Sequence, residues 1–178
     1  AVLLRGCCRS VWQGFGTEAG VALEASKRTV KIAFTGSTAV GRHIMACAAE
    51  CIIPCSVELG VKAPNIYCAD VMEGEEEYIE KAVEGLVLGF FNQGEVCTCP
   101  SRALIQESIY EPFMARVMEK VAQIRRGDPF DTDTMIGAQA SRQQFDKILS
   151  YIKIARDEGG KILTGGERAS ISAELDNG

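Results

Sequence analysis

The sequence has a single histidine, no run of about 18 apolar residues and no basic cluster. Each lack excludes a class of function. Without the long apolar run there is no membrane-crossing helix. Without a basic cluster, and with a formal net charge of −5, there is no surface suited to nucleic acid. There is also no Cys-x-x-Cys pair, so the eight cysteines lack the usual spacing of a zinc knuckle. Cys47, Cys51 and Cys55 recur every four residues, but Pro54 breaks the helix before Cys55 and His43 is the sole imidazole. No metal site is expected, and these thiols read as small packing residues. Eight cysteines fall short of a disulfide scaffold, so a reducing compartment, the cytoplasm, is the natural setting. Residues 1–13 make no clean signal sequence: Arg5 and Arg9 interrupt them and no cleavage pattern follows.

What the sequence does contain is alternation. With 47% hydrophobic residues it has enough apolar mass for a core. Compact apolar stretches at 30–34, 56–59, 64–68, 102–106 and 161–164 read as strands. Amphipathic stretches at 38–51, 73–89, 108–125 and 141–158 read as helices. In 73–89 the apolar stripe is Ile79, Val83, Leu86 and Val87, and it continues to Phe90. The acidic run Glu73, Glu75, Glu76, Glu77 reads as a solvated helix start favoured by the helix dipole. Ser108 is expected to cap its helix, with Glu111 at the capping-box position, and Gly127-Asp128-Pro129 to stop it. A glycine turn at 14–20 runs into a helix that Thr17 is expected to cap. Strands alternating with helices imply an α/β fold with mainly parallel sheet.

Three places bear chemistry. Cys97 follows a glycine-containing turn at the junction of a helix and a strand. Most cysteines only pack; a reactive one needs help to reach the thiolate, because a free thiol titrates at about 8.5. Thr35-Gly36-Ser37 lies between an apolar strand and a helix, an arrangement that offers backbone N–H groups to an anion. An ordinary capped βα turn would look the same. Glu58 sits in an apolar strand, either facing solvent or as a tuned acid–base group. Burial would suit it to the second role.

Taken together, these segments resemble the aldehyde dehydrogenase superfamily. Asn92-Gln93-Gly94-Glu95-Val96-Cys97 resembles its nucleophile segment, Ile32-Ala33-Phe34-Thr35-Gly36-Ser37-Thr38-Ala39-Val40-Gly41 its cofactor-phosphate turn, and Val57-Glu58-Leu59-Gly60 its general-base strand. Gly127-Asp128-Pro129 and Leu163-Thr164-Gly165-Gly166 also match, in family order, and the resemblance covers 14–166. Glu95-Val96-Cys97-Thr98-Cys99-Pro100-Ser101-Arg102 is most similar to the bacterial branch acting on acetaldehyde and other short aliphatic aldehydes.

The resemblance implies a three-layer parallel-sheet architecture, with 1–60 the end of a Rossmann-like NAD(P)-binding domain and 61–178 the first part of a catalytic domain. It implies Cys97 as nucleophile, Glu58 as the base that activates water, and cofactor contacts from Gly16, Thr35, Gly36, Ser37, Val40, Gly41, Leu59 and Gly60. The turn 35–41 lacks Gly-x-Gly-x-x-Gly spacing, as the family's domain does. The implied cofactor is NAD, with NADP open, and the implied substrate is a small aldehyde. The complete protein is expected to be a homodimer or homotetramer. The family's second oxyanion donor and the groups that grip the adenosine ribose belong upstream of this chain, and part of the substrate pocket downstream. The 178 residues alone are therefore expected not to turn over aldehyde.

Two departures stand out. Val61 replaces a usual glycine, and residues 1–13 do not follow the family. They leave open a rival reading: a nucleotide-binding or assembly module that keeps the fold without turnover.

Overall fold

Strand β1 (Ile32–Gly36) pairs in parallel with β2 (Cys55–Leu59), in register from Ile32↔Cys55 to Gly36↔Leu59. Parallel neighbours need a crossover, and a helix, Thr38–Cys51, supplies it. A short helix, α1 (Val21–Glu24), precedes this unit, which makes the crossover helix α2. The computed structural model describes residues 11–171. The unusual segment from Leu3 to Arg9 and the polar end beyond 171 lie outside the described residues.

Helix α2 begins where the sequence predicts. Ser37 is its N-cap, and Ser37 Oγ accepts from the Val40 N–H at 3.3 Å. Gly41, Ile44 and Ala48, at steps of three and four, form its buried face. Its C-terminus is less usual. Ile52 takes the left-handed conformation (φ 53°, ψ 45°) that glycine normally provides there. A β-branched side chain in that region costs about 1–2 kcal/mol, and at 91% exposed Ile52 recovers little by packing. Ile52→Gly is therefore expected to raise the thermal midpoint by roughly 2–6 °C in differential scanning calorimetry. A lowered midpoint would show that the Ile52 side chain contributes more than its backbone costs.

In the second part of the chain, β3 (Pro64–Tyr67) pairs in parallel with β4 (Arg102–Ile105), from Pro64↔Arg102 to Tyr67↔Ile105. Helices α3 (Glu76–Val87) and α4 (Tyr110–Ala122) pack together beside them. The core contains Tyr67, Val83, Val87, Ile109, Phe113 and Val117, with the Tyr67 and Phe113 rings 4.7 Å apart. Along the rim, Arg116 pairs with Glu76 and Glu80, and Lys120 with Glu80 and Glu84. The Arg116 hydrogen bond lowers the Glu76 carboxyl below its ordinary range. The acidic helix start is thus partly a docking edge for α4. Helix α5 (Arg142–Asp157) is capped by Ser141, whose Oγ accepts from the Gln144 N–H at 3.1 Å.

The chain divides into two units, Ala1–Val61 and Lys62–Gly178. Among the described residues no helix is long and apolar enough to cross a membrane.

Some expected local features are corrected. Thr17 caps nothing: Gly16–Gly20 form one wide π turn whose cap position is Phe15, so Thr17 lies inside the turn. Ser108 likewise falls inside a 3-10 turn, Glu107–Ile109, and the cap position moves to Ile109. The helix expected over 73–89 is broken into a 3-10 turn (Ala69–Glu73), α3, and a second 3-10 turn (Leu88–Phe90). The stretch 161–164 is not a strand, having no ladder partner among the described residues.

Candidate active site

In the first unit, the parallel register sets Thr35 beside Glu58 and Gly36 beside Leu59 at the C-terminal ends of β1 and β2. Gly60 follows at once, and Ser37 opens α2. The helix N-terminus offers first-turn N–H groups and the positive end of the helix dipole to this corner. Two glycines allow close packing here. A Cβ at Gly36 would come within 2.5 Å of Phe34 Cζ, so the phenyl ring would have to move. A Cβ at Gly41 would meet Leu59 Cδ2 at 2.4 Å, so glycine there lets α2 close on the end of β2. At Gly60 a Cβ would meet nothing within 4 Å. Beside the corner, Gly16, Phe34 and Val40 help line a cleft of about 970 Å³. Thus Thr35, Gly36, Ser37, Val40, Gly41, Glu58, Leu59 and Gly60 come together, and Gly16 and Val40 both line the cleft.

Glu58 is exposed rather than buried. The reason is the strand period: Ser56 and Glu58 share the outer face, while Cys55, Val57 and Leu59 turn inward. Burial is therefore not what suits Glu58 to chemistry.

In the second unit, the chain before Cys97 folds into an unusual turn. Asn92 (φ 47°), Gln93 (φ 58°) and Gly94 (φ 71°) are left-handed in succession. Only the last is a glycine, so the segment holds strain that its surroundings must sustain. Gly94 N–H donates to Phe91 O at 3.0 Å and Glu95 N–H to Asn92 O at 2.9 Å. The Glu95 carboxylate accepts from Ala140 N–H at 3.1 Å, and the Gln139 amide donates to Gln93 O at 3.3 Å. Lys62 Nζ donates to Val96 O at 3.3 Å.

Cys99 N–H closes back on Val96 O at 3.1 Å, which puts Cys97 and Thr98 at the corner of a tight turn. Alternation of an extended chain would put both thiols on one face, but the turn separates them. Cys97 is exposed; Cys99 is 7% exposed, and its thiol donates to Leu88 O at 3.6 Å. The Cys97 N–H has no partner among the described residues. The bracing by Lys62, Gln139 and Ala140 was not anticipated, because partners some 40 residues away leave no local pattern. Among the described residues no group of three or more His, Cys, Asp or Glu could hold a metal ion.

A helix N-terminus at the ends of parallel strands is an arrangement found in α/β proteins that bind phosphate-bearing ligands. The family follows from comparison. Residues 5–178 match the model of the aldehyde dehydrogenase family, and the chain belongs to that family. It is 64% identical to an acetaldehyde dehydrogenase of Pseudomonas aeruginosa over 169 residues, covering 95% of this chain and 33% of the relative. It is 54% identical to acetaldehyde dehydrogenase 2 of Cupriavidus necator, with the same coverage. Among solved structures, betaine aldehyde dehydrogenase of Staphylococcus aureus in complex with NAD+ superposes with a TM-score of 0.82 at 36% identity, covering 93% of this chain and 32% of that one. The α/β fold is that of the aldehyde dehydrogenases. The chain spans about a third of the length of the relatives it matches.

Proposed function

We propose that the protein carrying this chain oxidises a short aliphatic aldehyde to the carboxylic acid with NAD+, with NADP+ as the alternative cofactor, through a thioester on Cys97. The observation that carries the reading is the register of β1 and β2, which brings Thr35 and Gly36 beside Glu58 and Leu59 at the start of α2. The residues fit a dinucleotide: the Gly36 corner excludes side-chain bulk, and the helix start suits a pyrophosphate. The names of the relatives support an aldehyde substrate, acetaldehyde in particular.

In this reading, the Cys97 thiolate adds to the aldehyde carbon and the carbonyl π electrons move onto oxygen. The unpartnered Cys97 N–H holds the resulting alkoxide. The oxygen lone pair reforms the carbonyl, and the hydrogen leaves with its electron pair. Bound NAD+ supplies the two-electron acceptor for that hydride. Glu58 then takes a proton from water, the water oxygen attacks the Cys97 thioester, and the acid leaves as the thiolate is restored. The exposure of Glu58 gives it access to water. Val61 is itself 68% exposed, and nothing in its setting favours a module without turnover. The cytoplasm, where thiols stay reduced, is the setting we propose.

Alkylation tests this directly. The complete protein is treated with iodoacetamide at neutral pH, the modified cysteines are mapped by mass spectrometry, and NADH formation from acetaldehyde is followed. Activity is expected to fall in step with modification of Cys97 and before the other thiols react. Loss that tracks another cysteine, or full activity with Cys97 alkylated, would rule out the thioester route.

A further inference from the structure

Glu95 stands two positions before Cys97 and is half-buried. Among the described residues its carboxylate pairs with no cation. Instead Glu95 Oε1 accepts from the Ala140 N–H at 3.1 Å, a bond that its charge strengthens. The Glu95 N–H donates to Asn92 O at 2.9 Å, so the residue is held through both backbone and side chain. Two more bonds join the same segments. Gln139 Nε2 donates to Gln93 O at 3.3 Å. Gln93, with its amide oxygen toward Gly137, accepts from the Gly137 N–H at 3.0 Å.

The segment 137–140 is itself fixed at each end. Before it, Ile136 bridges to Arg126, and the Ile136 N–H donates to Arg125 O at 3.1 Å. After it, Ser141 caps α5. The segment is thus a firm support, and the turn it supports needs one. Asn92 and Gln93 are left-handed without being glycine, and such a conformation persists only where its surroundings hold it.

Addition to an aldehyde needs two directions fixed at once. The sulfur must face the carbonyl carbon while the Cys97 N–H faces the carbonyl oxygen. The Cys97 side chain is exposed, so packing around it does not fix them. The backbone must, and Glu95 is the residue between the strained turn and Val96 whose side chain reaches the support.

We infer that Glu95 is a positioning residue for the nucleophile: its carboxylate ties the turn to the 137–140 segment and thereby fixes the directions of the Cys97 sulfur and N–H. The inference rests on the thioester reading above. The charge of Glu95 has no part in it; an oxygen acceptor at that place is what the role requires.

The test uses the complete protein and two rates. One is the single-turnover rate of NADH formation, with protein in excess of acetaldehyde. The other is the rate of Cys97 alkylation by iodoacetamide without substrate. Glu95→Ala removes the acceptor, and water can satisfy the Ala140 N–H because Ala140 is exposed. The single-turnover rate is expected to fall about ten- to a hundredfold, the cost of a misplaced reacting group. Alkylation needs no oxyanion donor, so its rate is expected to stay within about twofold. Glu95→Gln keeps an oxygen acceptor without the charge and is expected to restore most of the single-turnover rate. A wild-type rate in folded Glu95→Ala protein overturns the inference. So does a Glu95→Gln rate as low as that of Glu95→Ala, because charge and not the bond would then matter. Alkylation slowed as much as turnover also overturns it, since the thiol's reactivity and not its direction would have changed. If Glu95→Ala fails to fold, Glu95→Met, which keeps the length of the side chain without its oxygens, replaces it under the same criteria. Cys97→Ala separates these outcomes from failure of the thioester reading. If Cys97→Ala forms no NADH while Glu95→Ala keeps the wild-type rate, only the role of Glu95 falls. If Cys97→Ala forms NADH at the wild-type rate, the thioester reading itself fails.

Discussion

Cys97→Ala is expected to abolish aldehyde oxidation in the complete protein, while Cys99→Ala retains most of it. Loss of the nucleophile in a covalent mechanism reaches on the order of 10⁶ in kcat, because no thioester can form. The two thiols lie two positions apart, yet their surroundings differ completely. Cys97 stands exposed at the corner of a turn, with the strained segment from Asn92 to Gly94 braced behind it. Cys99 is buried and bonded to Leu88 O. Cys99→Ala removes that packing at a stability cost of about 1–2 kcal/mol, which a thermal melt reads separately from kcat. NADH formation from acetaldehyde by the two purified variants decides the matter. Activity retained by Cys97→Ala and lost in Cys99→Ala would reverse the assignment.

The second large effect is at Glu58. Glu58→Gln keeps the shape of the side chain and removes its capacity to take a proton. Steady-state turnover is expected to fall by about 10²–10⁴, the usual contribution of a general base. On the proposed thioester route acylation of Cys97 does not need this carboxylate, so rapid mixing should give a burst of NADH and then a slow phase. The structure sharpens the expectation. Glu58 is exposed on the outer face of β2 and opposite Thr35, a position open to water. Its effect should therefore appear in hydrolysis and not in cofactor affinity. A steady-state rate equal to wild type would mark Glu58 as a surface carboxylate.

Local chemistry was legible where it was self-contained. A serine before an apolar-periodic stretch caps a helix whatever the rest of the chain does, and Ser37 and Ser141 do so. Thr17 and Ser108 were misread because π and 3-10 turns shift the first helical residue, and composition carries no sign of that shift. The stretch 161–164 has strand composition, but a strand exists only when another chain segment completes its ladder. Strand period alone would have put Glu58 on the outer face, opposite to its inward neighbours Val57 and Leu59.

The sequence by itself determined the family, the alternation of strands and helices, and the short motifs around Gly36, Glu58 and Cys97, because each rests on neighbouring residues or on a motif read within a few positions. Only the tertiary structure decided which of those motifs meet and how each thiol is exposed. The pairing of Thr35 with Glu58 depends on strand register, the bracing of the segment before Cys97 on hydrogen bonds from Gln139 and Ala140, and the contact of Glu24 with His43 on the approach of two helices. The physical reason is common to all three. Contacts between residues distant in sequence are selected by packing and hydrogen-bond satisfaction across the fold, and no local pattern encodes them.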